Sequence, residues 1–124
     1  MTDAPKPKHP FLDDLAPNAT LTGSLMRRPI VGRENIQRAV HATGTLYASQ
    51  TPTFLGAIGN RTFLQYDAAL HSGLELHAVA VIDRDDDGAV QAVSVTMGPL
   101  DAVLSLSGRL GPLLEADLGR DTFL

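Results

Sequence analysis

Polar and apolar residues alternate through most of the second half of the chain. Thr53 to Ile58, Thr62 to His71, Leu74 to Asp83 and Ala89 to Met97 each carry this period of two, which is the signature of a β-strand with one buried face. Gly59-Asn60, Ser72-Gly73 and the run Asp83 to Gly88 supply the turns between them, and Gly98-Pro99 ends the last strand. Upstream the period changes. Ile36, Val40, Thr43 and Tyr47 recur at helical spacing after Gly32, and Glu34 sits in the first turn, where the helix dipole favours an acid. Gly44 weakens the end of this helix and Pro52 forbids its continuation. Ala19 to Leu25 alternates Leu and Thr and predicts a short strand. Phe11 to Leu15 predicts one helical turn stopped by Pro17. After Pro99, a closing helix draws its buried stripe from Leu100, Val103, Leu104, Leu106 and Leu110. Gly111-Pro112 breaks it, and a Leu-rich piece runs on to Leu118.

A strand, a helix, a run of antiparallel strands and a final helix predict an α+β fold: a curved antiparallel sheet forming a cone, with helices packed on its concave side. Met1 to Pro10 holds three prolines, two lysines and no apolar run, so residues 1–10 are expected to form a flexible N-terminal tail and residues 11–124 a single domain. Both faces of the expected sheet are substantially apolar. Leu74, Leu76, Ala78, Ala80 and Ile82 share one face of their strand, yet Val79 and Val81 stand on the other beside Glu75 and His77. The last strand likewise divides Val93, Val95 and Met97 from Val90, Ala92, Ser94 and Thr96. Helices cover one face. A second subunit is the economical cover for the other, so a homodimer through the sheet face is expected.

Composition narrows the function classes. The chain has 124 residues and a net charge of −4 from 14 acidic and 10 basic side chains, which argues against an electrostatic grip on nucleic acid or an anionic membrane. It has no cysteine, so disulfides, thiolate metal sites and cysteine nucleophiles are excluded. An N-terminus without an apolar h-region, and the lack of any apolar run near ~20 residues, predict a cytoplasmic protein.

Few residues invite a chemical reading. Asp83-Arg84-Asp85-Asp86-Asp87-Gly88 opens like a calcium loop, but its twelfth position is Ser94 rather than a bidentate glutamate, and Asp-Gly between alternating runs is a hairpin signal. His9, His41, His71 and His77 show no metal-ligand spacing, although His71 and His77 flank one hairpin. No metal and no cofactor is expected. Tyr47 and Tyr66 each offer a phenol to a ligand, or serve as core rings with the hydroxyl at the edge.

Leu15-Ala16-Pro17-Asn18-Ala19-Thr20, Val31-Gly32-Arg33-Glu34-Asn35-Ile36, the hairpin Asp87-Gly88-Ala89-Val90 and the ending Met97-Gly98-Pro99 resemble, in order and spacing, the nuclear-transport-factor-2-like superfamily, which includes ketosteroid isomerase and SnoaL-like cyclases. The resemblance spans roughly residues 11 to 108. It implies a cone with a pocket, and commonly a dimer. The long first helix that covers the cone mouth in this family is shortened here to Phe11 to Ala16, and the end from Leu113 to Leu124 is a candidate to replace it. The family's general base falls on Gly23 and its oxyanion acid on Ala80, which argues against ketosteroid isomerase activity.

One carboxylate stays open. The resemblance, carried through Gly73, turns Phe63, Gln65, Asp67, Ala69 and His71 toward the pocket, whereas hydrophobicity turns Leu64, Tyr66, Ala68 and Leu70 inward. The expected ligand-binding residues are Tyr47, Phe63, Gln65, Asp67, Leu76, Val93, Val95 and Met97, with Asp67 and His71 as weak catalytic candidates. Three functions follow. The first is a binding module with an apolar pocket for a small hydrophobic ligand. The second is an isomerase- or hydratase-like enzyme using Asp67. The third is an interaction module whose cavity is filled by its own side chains.

Overall fold

Strand geometry sends successive side chains to opposite faces, so the parity of each apolar residue decides what it covers. In the computed structural model, which describes residues 9–124, Leu64, Tyr66, Ala68 and Leu70 are buried while Gln65 and Asp67 are exposed. The strands are β1 (Leu15–Gly23), β2 (Ile30–Val31), β3 (Tyr47–Ile58), β4 (Arg61–Leu70), β5 (Glu75–Arg84) and β6 (Val90–Gly98). They form one sheet in the order β2-β1-β6-β5-β4-β3. Every neighbouring pair is antiparallel except β1 and β6, which run parallel. The expected α+β architecture is present, with this correction: the sheet is mixed. Helices α1 (Arg33–Leu46) and α2 (Leu100–Leu118) contact each other, and their buried residues join Leu76, Ala78, Ala80 and Ile82 in one core. Ile36, Leu76, Ile82, Leu106 and Leu110 are the largest fully buried apolar side chains, each contributing about 1.5–3 kcal/mol by burial.

Three prolines were expected to end elements, and each lies within one. Pro17 stands inside β1, where the register against β6 shifts between Leu15 and Thr20. The irregularity frees the Leu15 carbonyl, which accepts a hydrogen bond from Arg33 Nε at 2.8 Å. The helical turn predicted for Phe11 to Leu15 shrinks to Leu12–Asp14. Pro52 stands inside β3. It is tolerated because β3 is an edge strand with a register shift between Pro52 and Phe54, so no ladder bond depends on the missing N–H. β3 therefore starts at Tyr47 rather than Thr53, and α1 stops one residue short of the tyrosine. Pro112 lies inside α2. Its ring removes one main-chain bond at a cost of about 3 kcal/mol, and burial of Leu110 and Leu114 on either side offsets that. The buried stripe of α2 is Ala102, Val103, Leu106, Ser107, Leu110 and Leu114, so Leu100 and Leu104, placed in it by sequence, are exposed instead.

Two glycines are demanded by geometry. Gly32 caps α1 at φ +100°, a left-handed conformation, while its N–H bonds the Ala19 carbonyl at 2.9 Å. Gly23 ends β1 where a Cβ would collide with the Val95 carbonyl. No helix among the described residues is long and apolar enough to cross a membrane. Of the expected tail, residues 1–8 lie outside the described residues. His9 and Pro10 are half-buried, and the Pro10 carbonyl accepts a hydrogen bond from Arg84.

Candidate functional site

A cavity of about 640 Å³ lies between the inner face of the sheet and α1. The strands contribute Leu21, Leu64, Tyr66, Ala80, Val95 and Met97. Ala39, Val40 and Thr43 face it from α1, and Tyr47, Gln50 and Pro52 from the first half of β3. The chain ends complete the wall. On one side lie His9, Pro10, Phe11 and Leu12, on another Phe123.

Both ends are held by specific bonds. Arg84 donates to the Pro10 carbonyl at 2.8 Å and to Asp14 Oδ2 at 2.9 Å, fastening the N-terminal strap to the end of β5. His9 Nδ1 accepts the N–H groups of Phe11 and Leu12 at 3.2 and 3.1 Å. This leaves Nε2 as the protonated nitrogen of a neutral ring. Burial lowers the His9 pKa, with Asp13 raising it in part. At the other end Phe123 bridges to Met26. Buried Ser107 locks that segment: its hydroxyl donates to the Leu25 carbonyl at 2.7 Å and accepts the Leu124 N–H at 2.7 Å. Two short terminal segments thus form part of the cavity wall.

Tyr47 and Tyr66 form the polar centre. Their hydroxyls meet at 3.0 Å, with ring centroids 6.1 Å apart. Burial, the neighbouring phenol and its hydrogen bond all raise the Tyr47 pKa far above the ordinary phenol value. Burial raises that of Tyr66 as well, while the hydrogen bond with Tyr47 lowers it in part. Both stay protonated at neutral pH. Among the described residues, no Asp, Glu, Lys or Arg lines the cavity.

The expected site residues divide by parity. Tyr47, Val95 and Met97 line the cavity. Leu76 and Val93 point inward but are packed in the core without lining it. Phe63, Gln65 and Asp67 lie on the outer face, so the resemblance-based orientation is corrected and the hydrophobicity argument stands. Asp67 faces His77 directly across β4 and β5, with Oδ1 to Nδ1 at 2.6 Å. Their side chains are 54% and 70% exposed. His71 is exposed against the Thr45 carbonyl at 3.2 Å and does not meet His77. Neither candidate acid–base residue reaches the cavity. Gly23 has no room for a side chain, and Ala80 presents only a methyl group to the cavity.

The acidic turn serves itself. Asp85 accepts the N–H groups of Asp87 and Ala89 and the Gln91 amide, each at 2.9 Å. No group of three or more potential metal-ligating side chains occurs among the described residues. Sequence reasoning omitted Tyr66, Leu64, Val40 and Thr43 from the lining. Strand parity with Leu70 and helical spacing from Ile36 were the signals that could have found them. The strap residues carry no comparable signal, because a terminal segment docks by tertiary contact, whereas Phe123 falls within the Leu113 to Leu124 end named as a candidate cover.

No family model matches the chain, and no curated protein matches its sequence. Solved structures do match. An uncharacterised protein with a cystatin-like fold from Silicibacter pomeroyi DSS-3 superposes with a TM-score of 0.79 at 17% identity, over 86% of this chain and 74% of that one. A steroid delta-isomerase from Pseudomonas aeruginosa gives 0.77 at 20% identity, over 85% and 77%. A protein with a ketosteroid isomerase-like fold from Catenulispora acidiphila DSM 44928, solved in complex with trimethylamine, gives 0.59 at 15% identity, over 78% of each chain. These likenesses establish the cystatin-like, nuclear-transport-factor-2-like fold that the motifs had implied.

Proposed function

We propose that this protein is a non-catalytic binding module: a homodimer whose cavity takes up a small hydrophobic molecule. The observation that carries the reading is the cavity itself. Its volume of about 640 Å³ lies within the range of small-molecule sites, and its lining is apolar apart from a few hydrogen-bonding groups, none of them Asp, Glu, Lys or Arg among the described residues. A filled-cavity interaction module is disfavoured by that open space. The enzyme reading loses its acid–base group, since Asp67 lies outside. The dimer is supported by the outer face, where Phe63, Val79 and Val81 form a half-buried apolar stripe across β4 and β5.

A neutral fluorophore such as 1-aminoanthracene tests the cavity. Saturable, blue-shifted binding at one molecule per chain is expected. Val40→Phe, which fills the space from α1, is expected to lower the affinity at least tenfold without lowering the melting temperature. Absence of saturable binding, or indifference to Val40→Phe, overturns the reading. Sedimentation equilibrium at micromolar concentration tests assembly. The wild type is expected to be dimeric, and Val81→Asp monomeric with its ligand binding intact. A monomeric wild type removes the dimer from the proposal.

A further inference from the structure

The cavity's hydroxyl protons are not equally available. Thr43 Oγ1 donates to the Ala39 carbonyl at 2.8 Å and Thr45 Oγ1 to the Ala42 carbonyl at 2.6 Å, so α1 consumes both. The two phenols differ. Tyr47 and Tyr66 bring two O–H groups to one point, and the bond between them uses only one proton. Whichever oxygen accepts keeps its own hydrogen for a further partner. Beyond the phenols, no Asp, Glu, Lys or Arg lines the wall among the described residues; its other polar side chains are His9, His41, Thr43, Thr45 and Gln50, and His9 Nδ1 is already engaged by the Phe11 and Leu12 N–H groups.

We infer that the Tyr47–Tyr66 pair is a hydrogen-bond donor site for one carbonyl-type oxygen of an otherwise apolar, neutral ligand. The inference rests on the binding-module reading and names the class of molecule it takes. An apolar molecule lacking an acceptor leaves the surplus phenol proton buried without a partner, which costs affinity relative to its carbonyl counterpart. A carboxylate ligand meets no Lys or Arg side chain in the wall among the described residues. The raised ionisation of both phenols keeps the pair a donor throughout the neutral range.

The arrangement predicts a non-additive mutational pattern. Removing either hydroxyl leaves the other with its own proton still free to donate, so only the double substitution abolishes the site. The experiment compares 6-propionyl-2-(dimethylamino)naphthalene with the analogue in which its carbonyl is replaced by a methylene group. Wild type is expected to bind the ketone about tenfold more tightly than the analogue, one net hydrogen bond being worth roughly this factor. Tyr47→Phe and Tyr66→Phe should each lose about threefold or less toward the ketone. The double variant should lose the whole preference while binding the analogue as wild type does. The infrared carbonyl stretch of the bound ketone should be lowered in wild type and return to its non-bonded frequency in the double variant.

Equal affinity for ketone and analogue in wild type, or a carbonyl stretch at its non-bonded frequency there, overturns the inference and leaves the cavity reading standing. Failure of both probes to bind overturns the cavity reading and the inference with it. The infrared measurement on wild type decides the point even if the double variant does not fold.

Discussion

The two faces of the β4–β5 hairpin are built from alternate residues of the same twenty or so positions, yet they have opposite characters. Inward, Leu64, Tyr66, Ala68 and Leu70 stand beside Leu76, Ala78, Ala80 and Ile82, and every one is buried. Outward, Phe63, Val79 and Val81 are interspersed with one cross-strand ion pair, Arg61–Asp83, and one cross-strand hydrogen bond, Asp67–His77. The inner face has its side-chain polar atom at Tyr66, whose hydroxyl meets that of Tyr47 on β3. The outer face has the charges, but in water, where they have no pocket to act on. Chemistry-bearing side chains and an enclosed site are thus both present in this chain, separated by one residue of strand register.

Substitution on the two faces should break at different energies, and the largest effect belongs to the core. Leu76→Ala empties a fully buried position and is expected to cost about 2–5 kcal/mol in urea unfolding. Asp67→Asn, on the neighbouring strand but outward, removes one exposed pair and is expected to cost less than about 1 kcal/mol. A comparable loss in both variants would mean that the outer pair is not solvated as described.

That comparison also shows what could be read in advance. The face of β4 was legible from hydrophobicity alone, because Leu64, Tyr66, Ala68 and Leu70 cannot all be left in water. Transferring orientation by resemblance through Gly73 gave the opposite face, since an error of one residue reverses every side chain. Pro52 marked a strand start by local rule and instead lies within β3, because an edge strand does not need the missing N–H. Pro112 was read as a break for the same kind of reason and is overridden by the burial of Leu110 and Leu114. The closure of the cavity was the least legible part. Arg84 meeting Pro10, and Ser107 holding Leu124, join residues 74 and 17 positions apart, and no local pattern encodes them.

The phenol pair sharpens the contrast through an alkaline titration. The chain has two tyrosines and no tryptophan, so tyrosinate absorbance reports on this pair alone. Burial raises both pKa values above the ordinary ~10. The contribution to stability is fully present below the unfolded phenol value and is lost as pH rises through ~10 and above, where the unfolded chain ionises first. Folded protein should therefore show little tyrosinate absorbance near pH 10.5, and unfolding there should release it in the same transition that abolishes tertiary structure. Tyrosinate appearing near pH 10 with the fold intact would place the pair in water rather than in the cavity.

The smallest effect concerns the strap, the one part of the cavity wall with a titrating group inside its own turn. His9 Nδ1 accepts two backbone N–H groups, which only the neutral ring can do. Burial lowers its pKa, and Asp13, whose carboxylate accepts the His9 N–H at 3.2 Å, offsets part of that. With the folded value below the ordinary ~6.5, the released strap takes up a proton first as pH falls, so docking weakens from about pH 6.5 downward and is unaffected above it. Hydrogen exchange at the Phe11 and Leu12 amides, corrected for intrinsic rates, should lose protection between pH 7.5 and 5, values set by this ~6.5 midpoint. His9→Asn places a carbonyl oxygen near the position of Nδ1 without a titrating group, and it should hold protection flat across the same range. Parallel profiles in the two proteins would show that His9 accepts no bond from the turn and that Arg84 alone fastens the strap.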